Sequence, residues 1–407
     1  MYKSITQNLT WVGIQDADLR IFDIIMETEF GTSYNSYLLK NKDADEYILF
    51  ETAKETFVDI YIEKLKSVTE LNKIKYLVVN HTEPDHAGSI AKIIELIEDI
   101  TIIAAPIAIT FLKEHTNMSF NSIQAKEGTP LTVCGYTLNF KSVPFLHWPD
   151  TIYTYVEEDK LLVTCDSFGA HYSHEDILYS SLTDTEIKDF DTAYQYYYNM
   201  IMGPFKPYML TALDKIAGLE INYVCPGHGL VFDNNNFEKY RNLYKEWSTV
   251  VPRAKQSVVV AYVSSYGYTK KIAENIAEGA KRTGLDVFMF DIATCNFGDL
   301  MSEVNQCSGL LVGSPTFIAD TLPPVWNLLT SLNPFVHKGM LAGAFGSYGW
   351  SGEATKNIST RFSQIYLKQP LEPLSIRLNP SREQCENAIA FGENFAEHCI
   401  AEREKNN

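Results

Sequence analysis

Side chains that can bind a metal are concentrated in the first 230 residues. Four of them lie within six positions, in the segment His81-Thr82-Glu83-Pro84-Asp85-His86, directly after the apolar run 74–79. Three other apolar runs lead into a single ligand each: 143–146 into His147, 161–165 into Asp166, and 221–225 into Pro226-Gly227-His228. We expect each run to be a strand. Loops at strand ends allow side chains to converge on one point.

The set of four imidazoles and three carboxylates is large enough for two metal ions. Asp166 is the natural carboxylate to bridge them. Imidazole suits zinc, copper, iron and nickel, whereas carboxylate oxygens favour harder ions, so the mixed set agrees with iron and leaves zinc open. Any one of these histidines alone is more often a hydrogen-bonded structural residue. Their joint occurrence favours a binuclear site.

The second half of the chain contains three loops suited to a phosphate and a planar ring. The first follows the apolar run 257–263 and precedes an amphipathic segment, 269–283. Hydroxyls and backbone N–H groups at such a helix start bind an anion. The candidate contacts are Ser264, Ser265, Tyr266, Gly267, Tyr268 and Thr269 in this loop, Ser314, Pro315, Thr316 and Phe317 in the second, and Gly346, Ser347, Tyr348, Gly349 and Trp350 in the third.

These loops favour a monophosphate over ATP or NAD. The first loop contains neither the G-x-x-x-x-G-K-[ST] lysine motif nor the G-x-G-x-x-G dinucleotide fingerprint. Small residues in the third loop allow a planar ring to approach the backbone, and Tyr348 or Trp350 is placed to stack on it. Ordinary turn and helix-cap chemistry is the alternative for Ser264 and Thr269.

Two kinds of pattern predict the elements that hold these residues. Between residues 47 and 229, apolar strands alternate with helical stretches such as 89–98. A helix at 236–249 ends near Pro252, so we place a domain boundary at 251, dividing the chain into 1–250 and 251–407. Beyond it, apolar runs at 257–263, 285–292, 309–313, 341–345 and 374–378 alternate with helices. Apolar strands of this kind predict a parallel sheet covered on both faces.

Composition excludes several partners. The chain has 407 residues, of which 45% are hydrophobic and 21% charged, with a formal net charge of −17. That negative charge opposes binding to nucleic acid, because proteins that bind nucleic acid normally carry a clustered basic face. The apolar stretch 101–112 is too short to span a bilayer, and the first residues do not form a secretory signal. We therefore expect a cytoplasmic protein with no membrane partner.

The seven cysteines form no C-x-x-C pair. Scattered cysteines in odd number are typical of reduced thiols. The chain therefore lacks a built-in rubredoxin-like iron centre, and we expect any electrons to come from a separate donor.

The motif H-x-E-x-D-H, followed by the later His, Asp and His, resembles the metallo-β-lactamase-like domain of the flavodiiron proteins. The three later loops resemble flavodoxin. The resemblance implies an α/β fold, an N-terminal αββα sandwich followed by a doubly wound parallel sheet. It also implies that His81, Glu83 and His147 hold one iron, that Asp85, His86 and His228 hold the other, and that Asp166 lies between them. Zinc hydrolases of the superfamily typically have histidine at the position of Glu83.

The same resemblance implies an activity. Reduced FMN would pass electrons to two irons, which reduce O2 to water or couple two NO molecules to N2O, with O2 as the expected preference. An external donor such as rubredoxin would supply the electrons. A head-to-tail homodimer, or a dimer of such dimers, would place each FMN beside the partner's irons.

Several residues near these motifs have two interpretations. Tyr194, Tyr196, Tyr197 and Tyr198 form a cluster similar to the pocket tyrosine of the family, and Tyr196 and Tyr197 are the candidates for it. Helix packing explains the cluster equally well. His171 and His174 are either supports of the metal site or ordinary structural histidines.

Two other functions remain open from the sequence. One is a zinc hydrolase of the metallo-β-lactamase superfamily, and Glu83 and the flavin loops count against it. The other is an electron carrier or sensor in which the metal half is only structural. The complete ligand set counts against that alternative.

Overall fold

The computed structural model describes residues 2–250, 253 and 255–406. The chain divides into two compact units, residues 1–250 and 251–407. The boundary predicted at residue 251 falls on residues outside the described ones. Each unit has its own hydrophobic core.

The first unit contains two large sheets. The seven-stranded sheet has the spatial order Lys3–Ser4, Leu9–Trp11, Tyr37–Lys40, Tyr47–Phe50, Ile74–Val79, Thr101–Ala104, Asn121–Gln124. The six-stranded sheet has the order Leu131–Val133, Tyr136–Ser142, Ile152–Val156, Leu161–Cys165, Tyr223–Pro226, Phe232–Asp233. Two small pairs add Ile14–Asp16 with Thr32–Tyr34 and Ile21–Phe22 with Met26–Glu27.

Helices complete the first unit. The α-helices are Val58–Val68, Pro84–Ala87, Ile90–Leu96, Pro106–Thr116, Asp184–Tyr197, Lys206–Ile216 and Asn234–Ser248. One continuous core includes fully buried residues of both sheets, among them Ile48, Leu77 and Val163. Burial of two sheet faces and of one stripe on each helix produces this layered arrangement. The sandwich implied by the resemblance is confirmed.

Two predicted strands of the first unit need correction. The strand predicted at 143–146 is wrong, because the preceding strand ends at Ser142 and the chain turns. Pro144 has no N–H to donate to a sheet, and Phe145 has a φ of +65°, which extended strands do not adopt. The strand predicted at 221–225 lies later, at Tyr223–Pro226.

The second unit is a five-stranded parallel sheet. Its spatial order is Asp286–Asp291, Ser257–Tyr262, Gly309–Pro315, Leu341–Tyr348, Leu374–Arg377. In chain order this is 2-1-3-4-5, the doubly wound order of flavodoxin. The predicted parallel sheet is confirmed. The third and fourth strands continue to Pro315 and Tyr348. Five residues predicted in loops therefore lie within strand ends: Ser314, Pro315, Gly346, Ser347 and Tyr348.

Helices cover both faces of this sheet, over two separate core clusters. They are Tyr268–Arg282, Phe297–Val304, Pro323–Ser331, Pro334–His337, Glu353–Gln364 and Arg382–Asn406. Among the described residues of both units, no helix is long and apolar enough to cross a bilayer.

Two glycines allow the helices Tyr268–Arg282 and Arg382–Asn406 to pack closely against each other. A methyl group on Gly279 would collide with the carbonyl oxygen of Ile389, and one on Gly392 would collide with that of Ile276. Both obstacles are backbone atoms, which cannot move without displacing a helix.

We therefore expect Gly279→Ala to destabilise the second unit by about 1–3 kcal/mol, although alanine favours a helix. Glu278→Ala, an exposed change on the same helix, is the matched control and should change stability by less than about 0.5 kcal/mol. Denaturant unfolding followed through the second unit measures both. A Gly279→Ala protein as stable as the control would contradict this close packing.

Candidate metal centre

The metal-binding candidates lie where strands of both large sheets end. His81 follows Ile74–Val79 of the seven-stranded sheet, and Pro84 begins the short helix that contains Asp85 and His86. Asp166 and His228 follow Leu161–Cys165 and Tyr223–Pro226, which are parallel neighbours in the other sheet. Parallel neighbours end at the same sheet edge, so their following residues emerge together.

The first group of candidates has its ligand atoms within 4.8 Å of one another. It consists of His81, Glu83, His147 and Asp166. His147 Nε2 lies 2.8 Å from Glu83 Oε2 and 3.1 Å from Asp166 Oδ2. His81 Nε2 lies 3.3 Å from each of the same two oxygens. All four ligand atoms therefore face a common point.

The second group consists of Asp85, His86 and His228. His228 Nε2 lies 3.1 Å from Asp85 Oδ2, and His86 Nε2 lies 3.3 Å from that oxygen. The two imidazole nitrogens are themselves 3.2 Å apart. Two lone pairs at this distance repel unless a proton or a cation lies between them.

Asp166 joins the two groups through its two carboxylate oxygens. Oδ2 faces His81 and His147 in the first group. Oδ1 lies 3.0 Å from His86 Nε2 and 3.5 Å from His228 Nε2 in the second. This is the bridging position that the sequence suggested for Asp166.

The buried carboxylates of the site need positive charge beside them. Burial alone would raise the pKa of Asp166, but the imidazoles of His81 and His86 outweigh it and hold that pKa well below its usual range. Burial would lower the pKa of His86, yet the carboxylates of Asp85 and Asp166 raise it to about 10. Carboxylates so deeply buried are stable only beside compensating positive charge.

The donor set and its spacing fit metal ions. Neighbouring ligand atoms about 2.0–2.2 Å from one ion lie about 2.8–3.6 Å from each other in octahedral or tetrahedral geometry. The separations given above, from 2.8 to 3.5 Å, fall in that range. Several buried polar atoms of these described residues have no hydrogen-bond partner: both carboxylate oxygens of Asp85 and the Nδ1 atoms of His81 and His86.

Cys165 is a further donor atom near the site that the sequence analysis did not select. Its sulfur lies 3.9 Å from His81 Nε2. Burial, with the nearby carboxylates, raises the pKa of this thiol well above its usual range. With His81, His86 and Asp166 the thiol forms a further set of donor atoms within 4.8 Å of one another, which overlaps both groups.

Residues distant in sequence hold the ligands in place. His228 Nδ1 donates to the Ser33 carbonyl oxygen at 2.6 Å, which directs Nε2 toward the site. The buried Glu51 carboxylate accepts from the backbone N–H of Asn80 at 2.9 Å, immediately before His81. Such supports fix ligand orientation. Sequence analysis missed them, because no local pattern marks a partner 195 positions away.

The four tyrosines of the cluster lie in different surroundings. Tyr197 is buried, and its ring centroid lies 6.0 Å from that of His228. Burial and the charge of Asp166 raise the pKa of its hydroxyl well above the usual value. Tyr196 lies at the surface, where its hydroxyl accepts from the Glu27 N–H at 3.2 Å. Tyr194 and Tyr198 pack against the aromatic residues of the helix Asn234–Ser248.

The two uncertain histidines differ in position. His171 is buried with its ring centroid 5.2 Å from that of His228, and its Nδ1 lies 2.9 Å from Thr32 Oγ1. His174 lies 3.2 Å from Glu186 at the start of the helix Asp184–Tyr197. His171 therefore adjoins the metal candidates, whereas His174 belongs to a helix cap.

The three predicted cofactor loops lie at the carboxyl ends of strands in the second unit. Hydrogen bonds join them: Thr269 Oγ1 lies 2.8 Å from Ser347 Oγ, and the Thr316 N–H donates to the Ser347 carbonyl oxygen at 2.9 Å. The Ser264 hydroxyl accepts from the Lys270 N–H at the helix start. The remaining N–H groups of that first turn suit a phosphate.

The same loops present apolar rings to the outside. Trp350 is 86% exposed and Tyr266 is 79% exposed. Gly349 and Gly267 have open space where a side chain would be. Exposed rings beside open backbone form a cradle in which a flat heteroaromatic ring can stack, so the loops fit a flavin mononucleotide.

Known proteins resemble the whole chain. Residues 32–229 match the ODP family beta lactamase, and residues 260–392 match flavodoxin. Flavo-diiron protein FprA2 of Clostridium acetobutylicum is 35% identical over 96% of this chain and 98% of the relative. A nitric oxide reductase of Moorella thermoacetica is 33% identical over 97% of this chain and 98% of its own.

A solved structure agrees with these relatives. Rubredoxin oxygen:oxidoreductase from the anaerobe Desulfovibrio gigas aligns with a TM-score of 0.72 and 27% identity, covering 98% of this chain and 99% of that one. The matches extend over both units and include proteins above 30% identity across nearly their entire length. The chain belongs to the flavodiiron protein family.

Proposed function

We propose that the protein reduces O2 to water at a non-haem di-iron centre with electrons from FMN, and that it also couples NO to N2O. The observation that carries the proposal is the pair of ligand groups that share Asp166 and include Glu83. The relatives named for oxygen and nitric oxide support it.

The ligand assignment follows the two groups. His81, Glu83 and His147 would hold one iron and Asp85, His86 and His228 the other, with the Asp166 carboxylate shared by both groups. The bound cofactors supply electron storage, since two ferrous irons and one reduced FMN hold the four electrons that conversion of O2 to water consumes.

The chain's own residues control protons and water around that centre. Burial and the charge of Asp166 raise the pKa of the Tyr197 hydroxyl above its usual value, so this hydroxyl stays protonated. Phe22, whose ring centroid lies 5.5 Å from that of His228, excludes water from one side. Exclusion of water strengthens each charge interaction in the site.

The remaining assignments complete the proposal. Residues 1–250 form the iron domain and residues 251–407 the FMN domain, with Ser264 to Thr269, Ser314 to Phe317 and Gly346 to Trp350 around the flavin. A rubredoxin-like protein supplies electrons, and the protein acts in the cytoplasm. It works as a head-to-tail homodimer or a dimer of such dimers.

The shared carboxylate yields a metal-content prediction. Asp166→Asn removes a ligand from both positions, so iron should fall from about two ions per chain to below one, whereas His147→Asn should leave about one. His174→Asn is the control and should retain both. Iron assay after anaerobic reconstitution measures these contents. Full iron content in the Asp166→Asn protein would refute the bridge.

The exposed ring of Trp350 yields a flavin prediction. Trp350→Ala should weaken FMN binding by about 0.5–1.5 kcal/mol, the worth of one stacked aromatic pair. Tyr366→Ala, which removes a ring 66% exposed in the same unit, should leave affinity unchanged. Fluorescence titration of the flavin-free protein with FMN gives both values. Equal affinity in the two variants would exclude Trp350 from the flavin site.

Gas consumption tests the function itself. The protein is first fractionated by size, so that monomer and dimer are assayed separately. After anaerobic reduction it should consume O2 rapidly and continuously with a reductase and rubredoxin as donors, and NO more slowly. Faster NO turnover would make it chiefly a nitric oxide reductase. Consumption of neither gas would contradict the proposal and favour a zinc hydrolase, and full activity in a monomer fraction would contradict the dimer.

A further inference from the structure

A cavity of about 130 Å³ lies beside the metal candidates in the first unit. One wall is the segment 27–30, which follows the hairpin Ile21–Phe22 and Met26–Glu27. The other wall is the helix Asp184–Tyr197, through Thr192, Ala193 and Tyr196, and His171 completes the lining. We call this cavity the His171 pocket.

Three hydroxyl groups of its walls are bonded to the protein. The Tyr196 hydroxyl accepts from the Glu27 N–H at 3.2 Å and so joins the two walls. The Thr192 hydroxyl donates to the Lys188 carbonyl oxygen at 3.0 Å. The Thr28 hydroxyl donates to the Leu19 carbonyl oxygen at 2.8 Å. These three hydroxyls have protein partners, whereas the ring of His171 in the same lining has a nitrogen without one among the described residues.

The remaining lining favours a small uncharged guest. Phe30 and Ala193 contribute apolar surface, and the carboxylates of Glu27 and Glu29 are exposed at the rim. Carboxylates at the entrance repel anions. The pocket is open to solvent along its rim, and its volume accommodates a molecule of two heavy atoms.

The inner end of the pocket is one ring from the metal candidates. The His171 ring centroid lies 4.9 Å from that of Tyr197 and 5.2 Å from that of His228. His228 Nε2 in turn faces Asp85 at 3.1 Å. Among the described residues, His171 Nε2 is a buried nitrogen with no hydrogen-bond partner. The His171 ring is held by the contact of Nδ1 with Thr32 and by packing against Phe22, whose ring centroid lies 4.3 Å away.

We propose that the His171 pocket is the docking and entry site for the diatomic gas, on the side of the second metal group. The inference rests on the proposed function and specifies where its substrate enters. Gas held in the pocket lies one ring away from His228, and the rings of His171 and Tyr197 are the barrier that it must pass.

Xenon tests the pocket independently of activity. Crystals of the holoprotein under xenon pressure should show a xenon atom between Phe30, Ala193 and His171. The same crystals of a filled variant, Ala193→Leu or Thr192→Phe, should lack it. An unoccupied pocket in the wild-type protein would overturn the inference.

Rapid kinetics test the entry route. The second-order rate constant for oxidation of the reduced protein by O2 should fall at least about fivefold in Thr192→Phe and Ala193→Leu, with unchanged kcat at saturating gas and unchanged iron and FMN content. Gln195→Phe adds the same ring on the same helix at a position that is exposed, as Thr192 is, but that does not line the pocket. It should react like the wild type.

The outcomes separate the two proposals. Xenon in the pocket with slowed oxidation in the filled variants supports the inference. Xenon in the pocket with unchanged oxidation in a folded filled variant overturns it as an entry route, while the proposed function stands. A wild-type protein that consumes neither gas removes the proposed function, and the entry route with it, whatever xenon shows.

Discussion

The shared carboxylate of Asp166 is the constraint on which the first unit depends. Three carboxylates and four imidazoles meet in a small buried volume, and one oxygen of Asp166 faces each ligand group. Buried charge of this density is costly unless cations compensate it. Metal ions bound there contribute to the stability of the fold as well as to its chemistry, because they bind the folded state only.

The two sheets satisfy this constraint by bringing strand ends together. Asp166 and His228 leave neighbouring parallel strands at one edge, while His81 leaves the other sheet, and a single core holds both sheets. Ligands on buried strand ends have little freedom to move. The hairpin of Ile21–Phe22 and Met26–Glu27, by contrast, has Ile24 and Ile25 exposed at its tip.

The second unit binds its cofactor by other means. No cluster of charge is needed, because the first turn of the helix Tyr268–Arg282 supplies N–H groups and the exposed rings supply stacking surface. Bonds from Ser347 to Thr269 and Thr316 keep the three loops in register. An open cradle of this kind suits a flavin that exchanges electrons with proteins outside its own fold.

Residue type and spacing alone determined three things: the two kinds of site, the parallel sheet of the second unit, and the family. The reason is that metal binding, phosphate binding and strand burial each require particular side chains at short sequence distances. Tertiary structure decided the rest. The turn at Pro144 replaced a predicted strand, and Ser33 came to orient His228 from 195 positions away. Tyr196 and Tyr197 are adjacent but project about 100° apart on a helix. Only the packing of that helix decides which ring faces the metal ligands.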